Sequence, residues 1–320
     1  MKTPVVTAPV PRALMRAVVR HTVRPQLRPS VALDRRRRTI ELLATLRRLP
    51  AGTRVDPTRL GPVPAERVDL PGLDQQRVLL YLHGGGYTTG SPRTHRALVA
   101  HLAAAAGRPV FALDYRLAPE HPFPAAVDDA EAAYRALLRR GFRATDIAVA
   151  GDSAGGGLAV ALALRLRDHG VALPACLALI SPWAELTLSD PSTRDDRRNV
   201  LLRTAWLEQS AADYAGADRS RPEVSPAFAD LRGLPPVTIH VGTTELLRAD
   251  ADRLAAQLVH HGVPVDVRRL DGMWHVWHLH AGLVAAPTRA VRELGAFIRT
   301  ATDGRRIHRM GVPCRCEQPI

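Results

Sequence analysis

Ile147-Ala148-Val149-Ala150-Gly151-Asp152-Ser153-Ala154-Gly155-Gly156-Gly157 decides how this chain is read. Ile147 to Ala150 is a short apolar run of the kind that forms a buried strand. Ala154 to His169 reads as a helix closed by Gly170. Between them lies G-x-S-x-G, a strand–turn–helix in which small residues permit a sharp fold and the serine is lifted above the sheet. Ser153 is therefore the candidate nucleophile. A serine hydroxyl is unreactive until a base removes its proton, so the rest of the sequence has to supply that base and a place to hold negative charge.

The second requirement is met upstream. His83-Gly84-Gly85-Gly86 follows the apolar run Val78 to Leu82. Glycines leave backbone N–H groups open to a developing oxyanion, so Gly85 and Gly86, together with Ala154 directly after the serine, are the candidate oxyanion hole. No Lys-Ser/Thr pair follows the glycines, which disfavours a phosphate-binding P-loop.

Around these motifs the sequence alternates. Strands are predicted at 78–82, 110–113, 147–150, 177–180, 237–241 and 265–270, and helices at 96–106, 125–140, 154–169, 251–261 and 288–300. Short apolar strands alternating with helices predict an α/β fold with a mainly parallel sheet covered on both faces. Residues 1–60 read as helical segments broken by prolines, the best of them Val31 to Leu49. Pro57, Gly61, Pro62, Pro64, Pro71 and Gly72 then mark loop and edge structure. Residues 182–235, with a helical stretch at Thr204 to Ala215, are too long for a plain connection and are expected to form a cap together with the N-terminal helices. The expected division is 1–60 as N-terminal cap segment, 61–302 as catalytic domain with its insertion at 182–235, and 303–320 as a disordered basic tail.

In this strand order the base belongs on a late loop and the orienting acid between it and the serine. His275 follows the 265–270 strand, with His278 and His280 as weaker candidates. Glu245 lies in the loop leaving the 237–241 strand; Asp250 and Asp252 are alternatives on the following helix. The three histidines could also be read as a metal cluster, but their spacing fits no zinc signature.

The chain has 320 residues, 46% hydrophobic and 23% charged, enough for a large core in one domain. Its formal charge of +13 comes almost wholly from arginine, scattered in a manner that suits coding bias better than nucleic-acid binding, since no reader motif accompanies it. Apolar runs are too short for a spanning helix, so no membrane insertion is expected. Prolines and arginines interrupt residues 1–23, and Cys176, Cys314 and Cys316 make no disulfide framework; a cytoplasmic location is the expectation.

Taken together, His83-Gly84-Gly85-Gly86-Tyr87, Asp114-Tyr115-Arg116-Leu117-Ala118-Pro119-Glu120, Gly151-Asp152-Ser153-Ala154-Gly155-Gly156, Gly242-Thr243-Thr244-Glu245 and His275-Val276-Trp277 resemble the hormone-sensitive lipase family of α/β-hydrolases, the class IV bacterial esterases. The resemblance spans roughly residues 30–300 and is nearest the ε-lactone hydrolase and acetyl-hydrolase branch. It implies an α/β-hydrolase fold with a helical cap, and hydrolysis of short-chain carboxylic esters or lactones through an acyl-enzyme, with no metal or organic cofactor. It also implies that His83 orients its loop and that Glu120 is structural. The partners expected are a small-molecule ester or lactone and, left open, a second copy of the chain. Two features depart from the family pattern: Glu245-Leu246 stands where Asp-Pro is frequent, and Asn199-Val200 where another Asp-Pro is frequent. An amidase or deacetylase with the same triad remains an alternative. A non-catalytic ligand-binding relative is disfavoured, because Ser153, Glu245 and His275 are all retained.

Overall fold

In a computed structural model, residues 9–196 and 199–304 are described. Eight strands form one sheet: β1 (Arg54–Leu60), β2 (Val63–Asp69), β3 (Val78–Leu82), β4 (Val110–Leu113), β5 (Ile147–Asp152), β6 (Cys176–Ile180), β7 (Val237–Gly242) and β8 (Val265–Leu270), in the order β1-β2-β4-β3-β5-β6-β7-β8. β3 to β8 run parallel; β1 pairs antiparallel with β2, and β2 with β4.

The long helices are α1 (Arg12–Val18), α2 (Leu33–Ala44), α3 (Pro92–Ala106), α4 (Ala125–Arg139), α5 (Ala154–Asp168), α6 (Thr204–Ala215), α7 (Arg248–His260) and α8 (Ala285–Thr302). The central strands are unbroken apolar runs because both of their faces are covered. Leu80, Leu82 and Val149 point into a core shared with α4, α5 and α7, whereas Leu79, Tyr81, Ala148 and Ala150 point into a second core shared with α3 and α8. That alternation follows from the two-residue period of a strand. α5 is buried all round from Ala154 to Leu164, where it is built from Ala, Leu, Val and Gly, and reaches solvent only in its last turn at Arg165, Arg167 and Asp168.

The predicted α/β architecture is observed, with differences at its margins. Residues 54–69 form the antiparallel hairpin β1–β2 where loop and edge structure was expected. Pro57 is tolerated because β1 is the outermost strand; Pro64 lacks an N–H but its carbonyl still accepts from Asp114 N–H at 2.9 Å. The helix expected over Val31 to Leu49 is α2, ending at Ala44; Leu46 and Leu49 beyond it are exposed and have no core to face. α3 begins at Pro92 instead of Arg96, because Ser91 and Thr94 form a reciprocal capping box and proline suits the first turn. α8 similarly begins at Ala285, with Pro287 within its first turn.

The arginine run 35–38 serves the fold in two places. Arg36 is buried and donates to the carbonyls of Gln26, Arg28 and Val31 at 2.9–3.1 Å. Arg37 pairs with Glu120, in keeping with the structural part expected of that carboxylate, and donates to the carbonyls of Thr88 and Ala118. Among the described residues no helix is long and apolar enough to cross a membrane. Cys176 is buried with a free thiol, and the tail residues Cys314 and Cys316 lie outside the described residues.

Candidate active site

β5 ends at Asp152 and α5 begins at Ala154, so Ser153 alone makes the turn, at φ 52° and ψ −121°. A non-glycine residue rarely adopts positive φ, and the surroundings hold it there. Ser153 N–H donates to Ile180 O at 2.9 Å, and Ser153 O accepts from Trp183, Gly156 and Gly157 N–H at 2.8–3.1 Å. The turn also requires close backbone approach. A Cβ on Gly155 would stand 2.0 Å from Leu82 O, so no larger residue fits there.

Ser153 Oγ is 2.8 Å from His275 Nε2, and His275 Nδ1 is 2.9 Å from Glu245 Oε2. All three residues are buried. A carboxylate only accepts, which assigns the proton to Nδ1 and leaves Nε2 to accept from the serine hydroxyl. Glu245 is supplied by the loop after β7 and His275 by the loop after β8, so neighbouring parallel strands deliver both to one end of the sheet. Glu245 Oε1 accepts from Ser181 Oγ at 2.8 Å and from Gly242 N–H.

The competing candidates are engaged elsewhere. Asp250 Oδ2 accepts the N–H groups of Ala184 and Glu185, and burial beside Glu185 pushes its carboxyl well above the usual range. Asp252 pairs with Arg269 and Arg248. His278 Nε2 faces His240 Nδ1 at 3.2 Å, and His280 packs against Trp274. Burial pushes the pKa of His278 well down and that of His280 to about 3. No group of three or more His, Cys, Asp or Glu that could hold a metal ion occurs among the described residues.

The glycine loop is fixed from several sides. Gly85 and Gly86 have φ of 124° and 63°. The Gly85 carbonyl accepts from Thr88 and Thr89 N–H at 3.2 and 2.9 Å, which turns the Gly86 N–H, trans to it across the peptide, the opposite way. Gly84, Gly85, Ser153 and His275 line one cavity; Gly86 and Ala154 adjoin its wall in sequence, Gly86 lying under the Trp206 ring. His83 Nδ1 donates to Gly84 O at 2.8 Å and its ring stacks on Tyr115. Burial and the neighbouring His95 push the His83 pKa down to about 3, so it stays neutral and orients the loop.

Asp152 was not singled out from sequence, since it fills the variable position of G-x-S-x-G. Its buried carboxylate accepts Tyr81 O–H at 2.7 Å, Gly84 N–H at 3.0 Å and His95 Nε2–H at 3.2 Å. Burial opposes its charge, but His95 and the Tyr81 hydrogen bond outweigh that and hold its pKa below the ordinary value. His95 and Ser181 are not legible from sequence for a different reason: their partners lie 57 to 95 residues away in the chain.

The cavity is about 100 Å³. Val23, Leu27 and Ile40 from the N-terminal segment and Leu201, Leu202 and Trp206 from the β6–β7 connection give it apolar walls. A larger open cleft beside Arg54, Arg67 and Asp69 contains none of the site residues.

A family model described as an alpha/beta hydrolase fold matches residues 79–279. An acetyl-hydrolase from Streptomyces hygroscopicus is 49% identical over 234 residues, covering 72% of this chain and 78% of its own. A putative acetyl-hydrolase, LipR, from Mycobacterium tuberculosis is 39% identical over 262 residues, covering 81% and 85%. Among solved structures, a hormone-sensitive lipase from a metagenome library superposes with a TM-score of 0.88 at 37% identity, covering 92% of this chain and all of that one. EstE5, soaked with p-nitrophenyl butyrate, superposes with a TM-score of 0.86 at 38% identity, covering 91% and 98%.

Proposed function

The chain belongs to the α/β-hydrolase fold family and is a carboxylic ester hydrolase, and from that premise we propose that it cleaves short-chain esters or lactones of small molecules with Ser153 as nucleophile, His275 as base and Glu245 as the orienting acid. The observation that carries the reading is the unbroken line Ser153 Oγ, His275 Nε2, His275 Nδ1, Glu245 Oε2, with both contacts under 3 Å.

His275 takes the serine proton as Oγ bonds to the carbonyl carbon. The oxygen that becomes negative is received by the N–H groups of Gly85, Gly86 and Ala154; removing one such donor typically costs about 10²–10³ in kcat. Glu245 stabilises the imidazolium. His275 then protonates the departing alkoxide, leaving an acyl-Ser153. A water, deprotonated by the same histidine, attacks that ester and releases the acid and the free serine. In a lactone the departing alkoxide stays attached, and one hydroxy acid is released.

The size of the acyl group is set by the walls. Ligand pockets commonly run to ~300–1,000 Å³; a cavity of about 100 Å³ with apolar walls suits acetyl to butyryl groups. We assign the cap to the N-terminal segment and the insertion at 182–235, because residues from both form those walls. The p-nitrophenyl butyrate soaked into EstE5 is itself a short-chain ester.

The test is a panel of p-nitrophenyl acyl esters of rising chain length, aliphatic lactones and anilides. The expected result is highest kcat/KM at acetate to butyrate, measurable lactone hydrolysis and little anilide cleavage. A maximum at octanoate or beyond would overturn the size assignment.

A further inference from the structure

We propose that Ser181 is a positioning residue for the acid–base pair, acting through Glu245 and the backbone of His275; this rests on the reading of Glu245 as the acid. Ser181 directly follows β6, is fully buried and has φ 46°, an unfavourable value for a side chain other than glycine. Its backbone is anchored, N–H to His240 O at 2.7 Å. From that anchor the hydroxyl makes two contacts. Its single proton goes to Glu245 Oε1 at 2.8 Å, and its oxygen accepts the N–H of Val276 at 3.2 Å.

Each contact constrains a different part of the pair. Glu245 Oε1 receives Ser181 Oγ–H and Gly242 N–H, so the other oxygen, Oε2, is the one turned toward His275 Nδ1. A glutamate has one more rotatable bond than an aspartate, and two donors on one oxygen restrict the rotation that this adds. The Val276 N–H belongs to the peptide joining it to His275, and Val276 itself is held at φ 50° and ψ 42°. The one hydroxyl therefore ties the acid's carboxylate to the base's own main chain, across 64 residues on one side and 95 on the other. Satisfied networks of this kind rigidify a site beyond what single contacts provide.

A residue that merely filled space would behave differently from one acting through Glu245, and a double-mutant cycle separates the two. Hydrolysis of p-nitrophenyl butyrate is measured for wild type, Ser181→Ala, Glu245→Ala and the double variant, with the Ser153→Ala rate subtracted. Hydrogen bonds to charged groups are worth enough that Ser181→Ala should lower kcat roughly 10- to 100-fold, with KM changed less than about twofold. In the Glu245→Ala background the same substitution should cost at least about fivefold less than in wild type, since only the Val276 N–H contact is left for the hydroxyl to hold. Ser181→Gly removes the hydroxyl while easing the positive φ, so it should reproduce the kcat loss with a smaller drop in Tm than Ser181→Ala. Equal losses in both backgrounds, or full activity in Ser181→Gly, would overturn the proposal. Full activity in Glu245→Ala would instead overturn the assignment of the acid, a separate result read from the same set.

Discussion

The carboxylate of Asp152 accepts the backbone N–H of Gly84 at 3.0 Å, joining the residue before the nucleophile to the loop that borders it. Two glycine-rich motifs that are separate in sequence are thereby one unit in space. Tyr81 and His95 complete the carboxylate's shell. Asp152→Ala should leave these buried donors unpaired and cost about 3 kcal/mol of stability, seen as a lower urea midpoint, together with a fall in kcat as the loop loosens. A variant with unchanged midpoint and kcat would remove Asp152 from this role.

Stability should fall in mild acid. Burial pushes the folded pKa of His83, His240 and His280 down to about 3, with His95, Arg268 and Arg47 respectively adding to the effect. An unfolded histidine titrates near ~6.5. Below that value the unfolded chain takes up protons that the folded chain refuses, so the stabilisation is full above it and is lost as pH falls toward 3. Urea unfolding at about pH 7.5 and about pH 5 should give a clearly lower midpoint at the acid pH. Equal midpoints would contradict the burial of these rings.

Arg36 holds the segment that walls the cavity. Its guanidinium donates to three carbonyls between Gln26 and Val31, and Leu27 lies in that stretch and lines the site. Arg36→Met keeps the length of the side chain and removes every donor. The expected outcome is faster limited proteolysis between residues 24 and 31 and a KM for p-nitrophenyl butyrate raised several-fold, with kcat less affected. A KM equal to wild type would show that the wall stands without the clamp.

Leu202 is expected to set part of the acyl limit. It is buried and lines the cavity beside Trp206 and Leu201. Leu202→Ala should raise the ratio of kcat/KM for hexanoate over acetate by roughly tenfold, the usual worth of a methylene or two in an apolar pocket. An unchanged ratio would place the acyl chain elsewhere.

Much of this was legible in the sequence because the relevant signals are local. The strands β3 to β7 are short apolar runs, and the serine, glutamate and histidine follow β5, β7 and β8 in an order that parallel topology explains. The β1–β2 hairpin is not legible in the sequence because Pro57 and Pro64 break strands in general; an outer position and a retained carbonyl acceptor make them tolerable here. Arg36 reads as one charge in a basic run, and only the folded chain shows it buried against three carbonyls. His95 and Ser181 carry no sequence mark, and Asp152 fills a motif position open to any residue; what defines all three is a partner 57 to 95 residues away.

Ser153 is the residue expected to carry the acyl group during turnover. Rapid acid quench after mixing with p-nitrophenyl butyrate, followed by proteolysis and mass analysis of the peptides, tests it most directly. One butyryl group is expected on the peptide containing Ser153, formed far more slowly in His275→Ala, which lacks the base for acylation, and absent from Ser153→Ala. A butyryl group on a different residue, or turnover by Ser153→Ala at the wild-type rate, would contradict it.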